Sequence, residues 1–514
     1  MIPALPMATL AVAAWIMWTF IRVATYYYMR LDIEFSLAIY TILELRSLIV
    51  SEVAITLQEI PIYVPIFFLS LFGCLILSLG SVLIAATEFE AQQAERESES
   101  NPGSTSKRYR PFAVIASSGV MAIAGLLALP ENRAFNRSPE SAADSKTNVI
   151  EGPNPFPDAE SVTPIFYEQK NSFRSRFGFR LPEGTNVVFI ILESARESFV
   201  DLENSEFFRA SPETLRVENF FVPVPHSSNS HYSLYTGLHS ERDFEEKYEK
   251  MRPAETLPRL LEKHGYKNYY VYTDHTAFES ENVMLEKLGM QVTEKRQLQK
   301  RKNPETSDYY ASFSFGMDDI ALLHATNELL DNANPGRQAF SFSLVMTNSH
   351  YPYLNPHPER FNRHNNNTIL GRHRNGVDYG MHIADRVVEE FRKRGLEQKT
   401  LFVLMSDHGE SFGERGFYRH SFSLYNEEVR VPLVFRHPKF ARLTSPADRA
   451  LPQGSMLDVF PTVFDMLDLE IPRSLQGRSL FDPEYSFRLP LWVWRLDDYR
   501  GFIFDDSKFL YNSV

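Results

Sequence analysis

Cysteine is almost absent from this sequence: Cys74 is the only one among 514 residues. Disulfides within the chain are thereby excluded, and any domain outside a membrane must rely on the size of its core. Positive charge is also scarce. Lys and Arg number 53 against 65 Asp and Glu, a net charge of −12, with no basic stripe in the larger part of the chain. That balance argues against a nucleic-acid partner. No internal repeat is present either.

Long apolar runs are present, and all lie near the start. Ile2 to Ile21, Ile60 to Thr87 and Pro111 to Pro130 carry no charged residue, and about 20 residues of helix suffice to cross a bilayer core. The first run lacks the basic start and small-residue site of a cleavable leader. Residues 1–130 therefore read as a transmembrane region of three or four helices. The fourth is the ambiguous stretch Leu31 to Leu57, which carries Glu44 and Arg46. Residues 88–110 read as a cytoplasmic loop, because Lys107, Arg108 and Arg110 precede the last run. Residues 131–180 read as a linker, rich at first in Pro, Ser, Asn and Asp, and 181–514 as one large domain outside the cytoplasm.

In that domain the pattern alternates strand and helix. Asn186 to Leu192 (NVVFIIL), Tyr269 to Tyr272, Phe340 to Met346 and Leu401 to Met405 are short apolar runs, as in buried parallel strands. Leu257 to His264, ended by Gly265, and Met381 to Arg394 have helical spacing. The expected fold class is α/β, a doubly wound domain with a mostly parallel sheet. The basic stretch Arg360 to Arg374 reads as a solvated loop.

Sites in such folds form at the carboxyl ends of strands. Glu193 directly follows NVVFIIL, Asp407 and His408 follow LFVLMS, and His350 comes four residues after FSFSLVM. Carboxylate and imidazole together suit Zn²⁺ or Mn²⁺ better than Ca²⁺ or Mg²⁺. Singly, Glu193 could be a helix N-terminal carboxylate and His350 a histidine at a turn; together the four are more specific. A nucleophile is expected within HSSNSHYSLYTGLHS, where hydroxyls precede a helix whose N–H groups favour an anion. Local chemistry does not choose among Ser227, Ser228, Ser230 and Ser233.

Several blocks carry a family resemblance. SDHGESFGERG, then LYNEEVRVPLVF, resembles the sulfatase-type signature of the alkaline phosphatase superfamily; LPRLLEKHGYKNYYVY, TNSHYPY and SMLDVFPTVFDMLDLEIPRSLQGRSL resemble its other blocks in the same order. The Pro and Arg of the sulfatase motif that yields formylglycine are missing from Ser227-Ser228-Asn229-Ser230-His231. Glu193-Ser194-Ala195-Arg196 instead resembles the membrane phosphoethanolamine transferases, relatives of the phosphoglycerol-transferring lipoteichoic acid synthases. Glu279 and Glu281 stand where the phosphoglycerol branch has a Trp and an Arg.

The resemblance implies Ser227 as nucleophile and Glu193, Ser227, Asp407 and His408 as ligands of a divalent metal. His350 and His420 would assist catalysis, bind substrate or hold a second metal, and Asp274 and Ser230 would contact substrate. It also implies a multi-pass protein of the bacterial inner membrane. A phospho-alcohol headgroup would pass from a phospholipid through a phosphoserine to an envelope glycan. A sulfatase-like hydrolase using the same metal site is the alternative, and a non-catalytic membrane scaffold a third.

Overall fold

The computed structural model describes residues 148–151, 167–240, 248–313, 315–332, 338–493 and 499–512. These belong to the second of two compact units, Ser138–Val514; the first is Met1–Arg137. The expected helices of residues 1–130 lie outside the described residues. Among the described residues, no helix is long and apolar enough to cross a membrane.

An eight-stranded sheet forms the centre. Its strands are β1 (Asn186–Leu192), β2 (Thr214–Phe221), β3 (Lys267–Tyr272), β4 (Gln291–Glu294), β5 (Phe340–Met346), β6 (Thr400–Ser406), β7 (Arg430–Arg436) and β8 (Ala450–Ser455). They lie in the order β8-β2-β7-β6-β1-β5-β3-β4. Only β7 runs against its neighbours; the other pairings are parallel. The domain is thus α/β with a mostly parallel central sheet.

Side chains alternate across a strand, so a run that is apolar throughout needs cover on both faces. In β1, Val187, Phe189 and Ile191 join one core, and Val188, Ile190 and Leu192 the other. Helices α1 (Ser227–Thr236) and α4 (Met456–Leu467) cover the first face; α2 (Ile320–Asn332) and α3 (Ile369–Lys393) cover the second. Each fully buried Val, Ile, Leu or Phe contributes roughly 1.5–3 kcal/mol relative to exposure.

Strands β1 and β5 have the bounds expected, and β3 and β6 extend theirs by one or two residues. The helix Leu257–Lys263 is followed by Gly265 at φ +84°, the left-handed stop that its residue type favours. Helix α3 departs from expectation. It begins at Ile369, twelve residues before Met381, so the basic stretch expected as a solvated loop is helical from there. Three glycines hid this half. A Cβ on Gly376 would lie 2.3 Å from the Asn348 carbonyl oxygen, and one on Gly380 would lie 2.9 Å from Leu192 Cδ2. These glycines, unfavourable for a helix in isolation, let α3 approach β1 and the loop after β5.

Part of the stretch read as a linker is built into the domain. Asn148–Glu151 pairs in parallel with Ser507–Asn512 in a small four-stranded sheet, and the short helix Phe173–Phe177 buries Phe173.

Candidate active site

Register brings the site together. Leu192 sits opposite both Met346 of β5 and Ser406 of β6, so Glu193 and Asp407 leave the sheet side by side. Strand β2 runs the same way and leads through Pro225 and His226 into α1, whose first residue is Ser227. Ser227 Oγ lies 3.3 Å from Glu193 Oε1 and 3.1 Å from His408 Nε2. Ser227 thus faces Glu193 and His408, whereas Ser228 donates to Glu279 and Ser230 to the Val224 carbonyl oxygen.

Backbone bonds orient the acids. Asp407 Oδ1 accepts from the N–H of Ser194 at 3.0 Å and of His408 at 2.8 Å. Ser194 holds a left-handed φ of +61°, a strained state for a residue with a Cβ. Gly409 is required by close approach, since a Cβ there would meet the Glu427 carbonyl oxygen at 2.2 Å.

The histidine tautomers follow from their carbonyl partners, which can only accept. His408 Nδ1 is 2.9 Å from the Gly409 oxygen and His350 Nδ1 is 2.8 Å from the Tyr351 oxygen, so each Nδ1 carries a proton. The lone pairs on Nε2 then face acids: His408 Nε2 is 3.4 Å from Asp407 Oδ2, and His350 Nε2 is 3.7 Å from Glu193 Oε1. Asp407 Oδ2 is buried with no hydrogen-bond partner, and among the described residues no Lys or Arg pairs with Glu193 or Asp407. Opposed lone pairs and two buried carboxylates form an arrangement that a divalent cation completes. Glu193, Ser227, Asp407 and His408 fit that role by donor type and convergence.

Burial pushes the Glu193 carboxyl well above its ordinary range, and the charges of Asp407, Asp274 and Glu281 push it further. Burial lowers His350, favouring its neutral form.

His420 joins the group, its ring centroid 4.0 Å from that of His408 and 5.9 Å from that of His350. His420 Nδ1 meets Glu410 Oε2 at 2.9 Å, and Tyr353 donates to Glu410 Oε1 at 2.7 Å. His408, Glu410 and His420 could also offer ligand atoms to one ion. Glu410 was not singled out in the sequence, although it lies in SDHGESFGERG; its partner Tyr353 is 57 residues away, and its bond to His420 joins it to a residue that was. Asp274 is mostly buried and lies 3.8 Å from Lys295 Nζ. Ser230 is fully buried, and its hydroxyl donates to the Val224 carbonyl oxygen at 3.2 Å, an internal bond that competes with any substrate contact.

Fold and site together are those of a sulfatase-type enzyme, a class that uses a divalent metal. The profile described as Sulfatase matches residues 185–469, and the chain belongs to the sulfatase family. A curated relative, arylsulfatase K of Mus musculus, is 31% identical over 126 residues, 22% of this chain and 21% of that protein. The chain thus spans about a fifth of the length of the curated relatives it matches. A solved protein of the alkaline phosphatase superfamily from Vibrio parahaemolyticus shares the fold at a TM-score of 0.50 and 17% identity, covering 63% of this chain and 76% of that one. A lipoteichoic acid synthase from Listeria monocytogenes aligns at a TM-score of 0.49 and 17% identity, over 62% of this chain and 82% of that one.

Proposed function

We propose that this chain is a membrane-bound transferase that moves a phospho-alcohol headgroup from a phospholipid to an envelope glycan, by way of a phosphoserine at Ser227. The observation that carries the reading is the position of the Ser227 hydroxyl. It lies between Glu193 and His408 at the start of α1, in a segment without the Pro and Arg of the formylglycine motif. The charge-free runs before residue 131 would be membrane helices holding the domain beside its lipid donor, on the periplasmic or extracellular side of a bacterial inner membrane.

A divalent cation held by Glu193, Ser227, Asp407 and His408, with zinc or manganese best suited to these donors, would lower the serine's pKa and offset charge on the phosphoryl oxygens. Ser227 Oγ gives up its proton and bonds to phosphorus, while the bond from phosphorus to the lipid alcohol breaks and that oxygen is protonated. An acceptor hydroxyl then attacks the same phosphorus, the Oγ–P bond breaks, and the acceptor's proton restores the serine. His350, favoured in its neutral form by burial, and His420 carry these protons or orient the acceptor. Asp274 would face the substrate from the end of β3.

The arylsulfatase relative favours a second reading, a hydrolase in which water attacks in the second step or the ester carries sulfur. The purified full chain, given vesicles of headgroup-labelled phospholipid with and without envelope glycan, distinguishes them. Label appearing in glycan supports transfer, and headgroup phosphate released equally in both supports hydrolysis.

A further inference from the structure

Behind Ser227 lies a carboxylate that the steps above do not use. Glu279 is 2% exposed. Its two oxygens lie 2.8 and 2.7 Å from His226 Nε2, and Ser228 Oγ donates to one of them at 2.6 Å. His226 and Ser228 are the neighbours of Ser227 on either side, so one carboxylate holds both flanks of that residue. The His226 ring also reaches the other wall of the site, with Nδ1 2.9 Å from the hydroxyl of Ser421, next to His420.

The backbone around Glu279 is bent to deliver it. Glu279 and Ser280 are consecutive non-glycine residues in the left-handed region, at φ +50° and +57°, which is unfavourable for any residue with a Cβ. Phe278, just before, is 44% exposed, so the bend turns the acid inward and leaves the aromatic ring out. Thr276 steadies the turn: its N–H and hydroxyl both donate to Glu294, at 2.8 and 2.7 Å, and its carbonyl accepts from Asn282. One turn along α1, His231 meets Glu281 at 2.6 Å, a second tie between the same two segments.

We propose that Glu279 is a positioning residue that clamps His226 and Ser228 and thereby fixes the Ser227 oxygen between Glu193 and His408. The inference rests on Ser227 being the nucleophile. Glutamine at position 279 has nearly the same shape but puts an NH2 donor in place of one of the two oxygens that face His226 Nε2–H, so one of the carboxylate's acceptor contacts becomes donor against donor. A small displacement of a reacting oxygen is enough to slow its attack strongly.

The test uses the zinc-loaded full chain, with bis(p-nitrophenyl) phosphate as probe and the rate of first nitrophenolate release as readout. Crystal structures, zinc stoichiometry and thermal midpoints are measured on the same proteins. Glu279→Gln is expected to slow release at least about tenfold and to displace Ser227 Oγ from His408 Nε2, with the zinc content and midpoint of the parent. Ser228→Ala, which removes one arm and leaves the acid, is expected to slow release less. Release within about twofold of the parent in both variants, with Ser227 Oγ unmoved, overturns the clamp. Ser227→Ala separates the two claims: if it releases nitrophenolate at the parental rate, the nucleophile reading falls and takes the clamp with it.

Discussion

Ser227 Oγ and His408 Nε2 lie 3.1 Å apart, and the other nitrogen of His408 is committed to the Gly409 carbonyl. The imidazole therefore turns a lone pair toward the serine and toward Asp407 Oδ2, which has no hydrogen-bond partner. Such a geometry prepares a cation site that includes the serine oxygen.

Replacing the serine tests its role. Ser227→Ala should lower turnover by about three orders of magnitude or more, as loss of a covalent nucleophile does. Ser227→Thr should retain a substantial fraction, because it keeps the hydroxyl. Since Ser227 sits at the first position of α1 and its hydroxyl is partly buried, the Ala variant should keep the parental circular-dichroism spectrum.

Metal occupancy should register as stability. At a free zinc or manganese concentration of 100 times Kd, binding to the folded state alone adds about 2.7 kcal/mol. Glu193→Gln and Asp407→Asn should lose most of that gain and bind less metal by elemental analysis. A chelator should lower the thermal midpoint of the parent far more than that of either variant. A non-catalytic scaffold would show no such difference.

Gly376 is the contact by which α3 supports the loop carrying His350. Gly376→Ala places a methyl 2.3 Å from the Asn348 carbonyl oxygen and should cost about 1–3 kcal/mol of stability, the usual range for overpacking. Urea unfolding measures the cost. Turnover should fall as well, because the loop Asn348-Ser349-His350 is what must give way.

Two buried histidines set an acid limit: His437, and His373, whose Nε2 lies 3.0 Å from the Ser194 carbonyl oxygen beside Glu193. Burial pushes His437 down to about 3 and His373 down to about 4, from an ordinary value of 6.5. A base whose pKa is lower when folded is protonated first in the unfolded chain. Its contribution is complete above about pH 6.5 and declines as the pH falls toward the folded value. The slope is about 1.4 kcal/mol per pH unit for each group once the unfolded form is fully protonated. His437→Gln should therefore lose less urea midpoint, or gain more, than the parent as the pH falls from 6.5 to 5.

The sheet centre was legible because β1 and β5 are mostly apolar, and both are buried at every position, the pattern of a strand covered on both faces. The residues immediately beyond those strands could be placed for the same reason. The reversed direction of β7 was not legible, since direction leaves no periodicity in the chain. The first half of α3 was hidden because a glycine's value depends on the atom opposite it: Asn348 for Gly376, Leu192 for Gly380. Glu410 and Glu279 were missed for a related reason. Tyr353 is 57 residues from Glu410, and His226 is 53 residues from Glu279. Pairs so far apart in sequence meet only through the fold.

The most direct test of covalent phosphoryl transfer by Ser227 is peptide mass spectrometry on the metal-loaded full chain, quenched during exposure to phospholipid vesicles. The account predicts added mass on Ser227 equal to the donor's phospho-alcohol headgroup, absent after chelation and in Ser227→Ala. Turnover of lipid with Ser227 unmodified throughout, or a formylglycine at that position in a protein that cleaves sulfate esters, would contradict it.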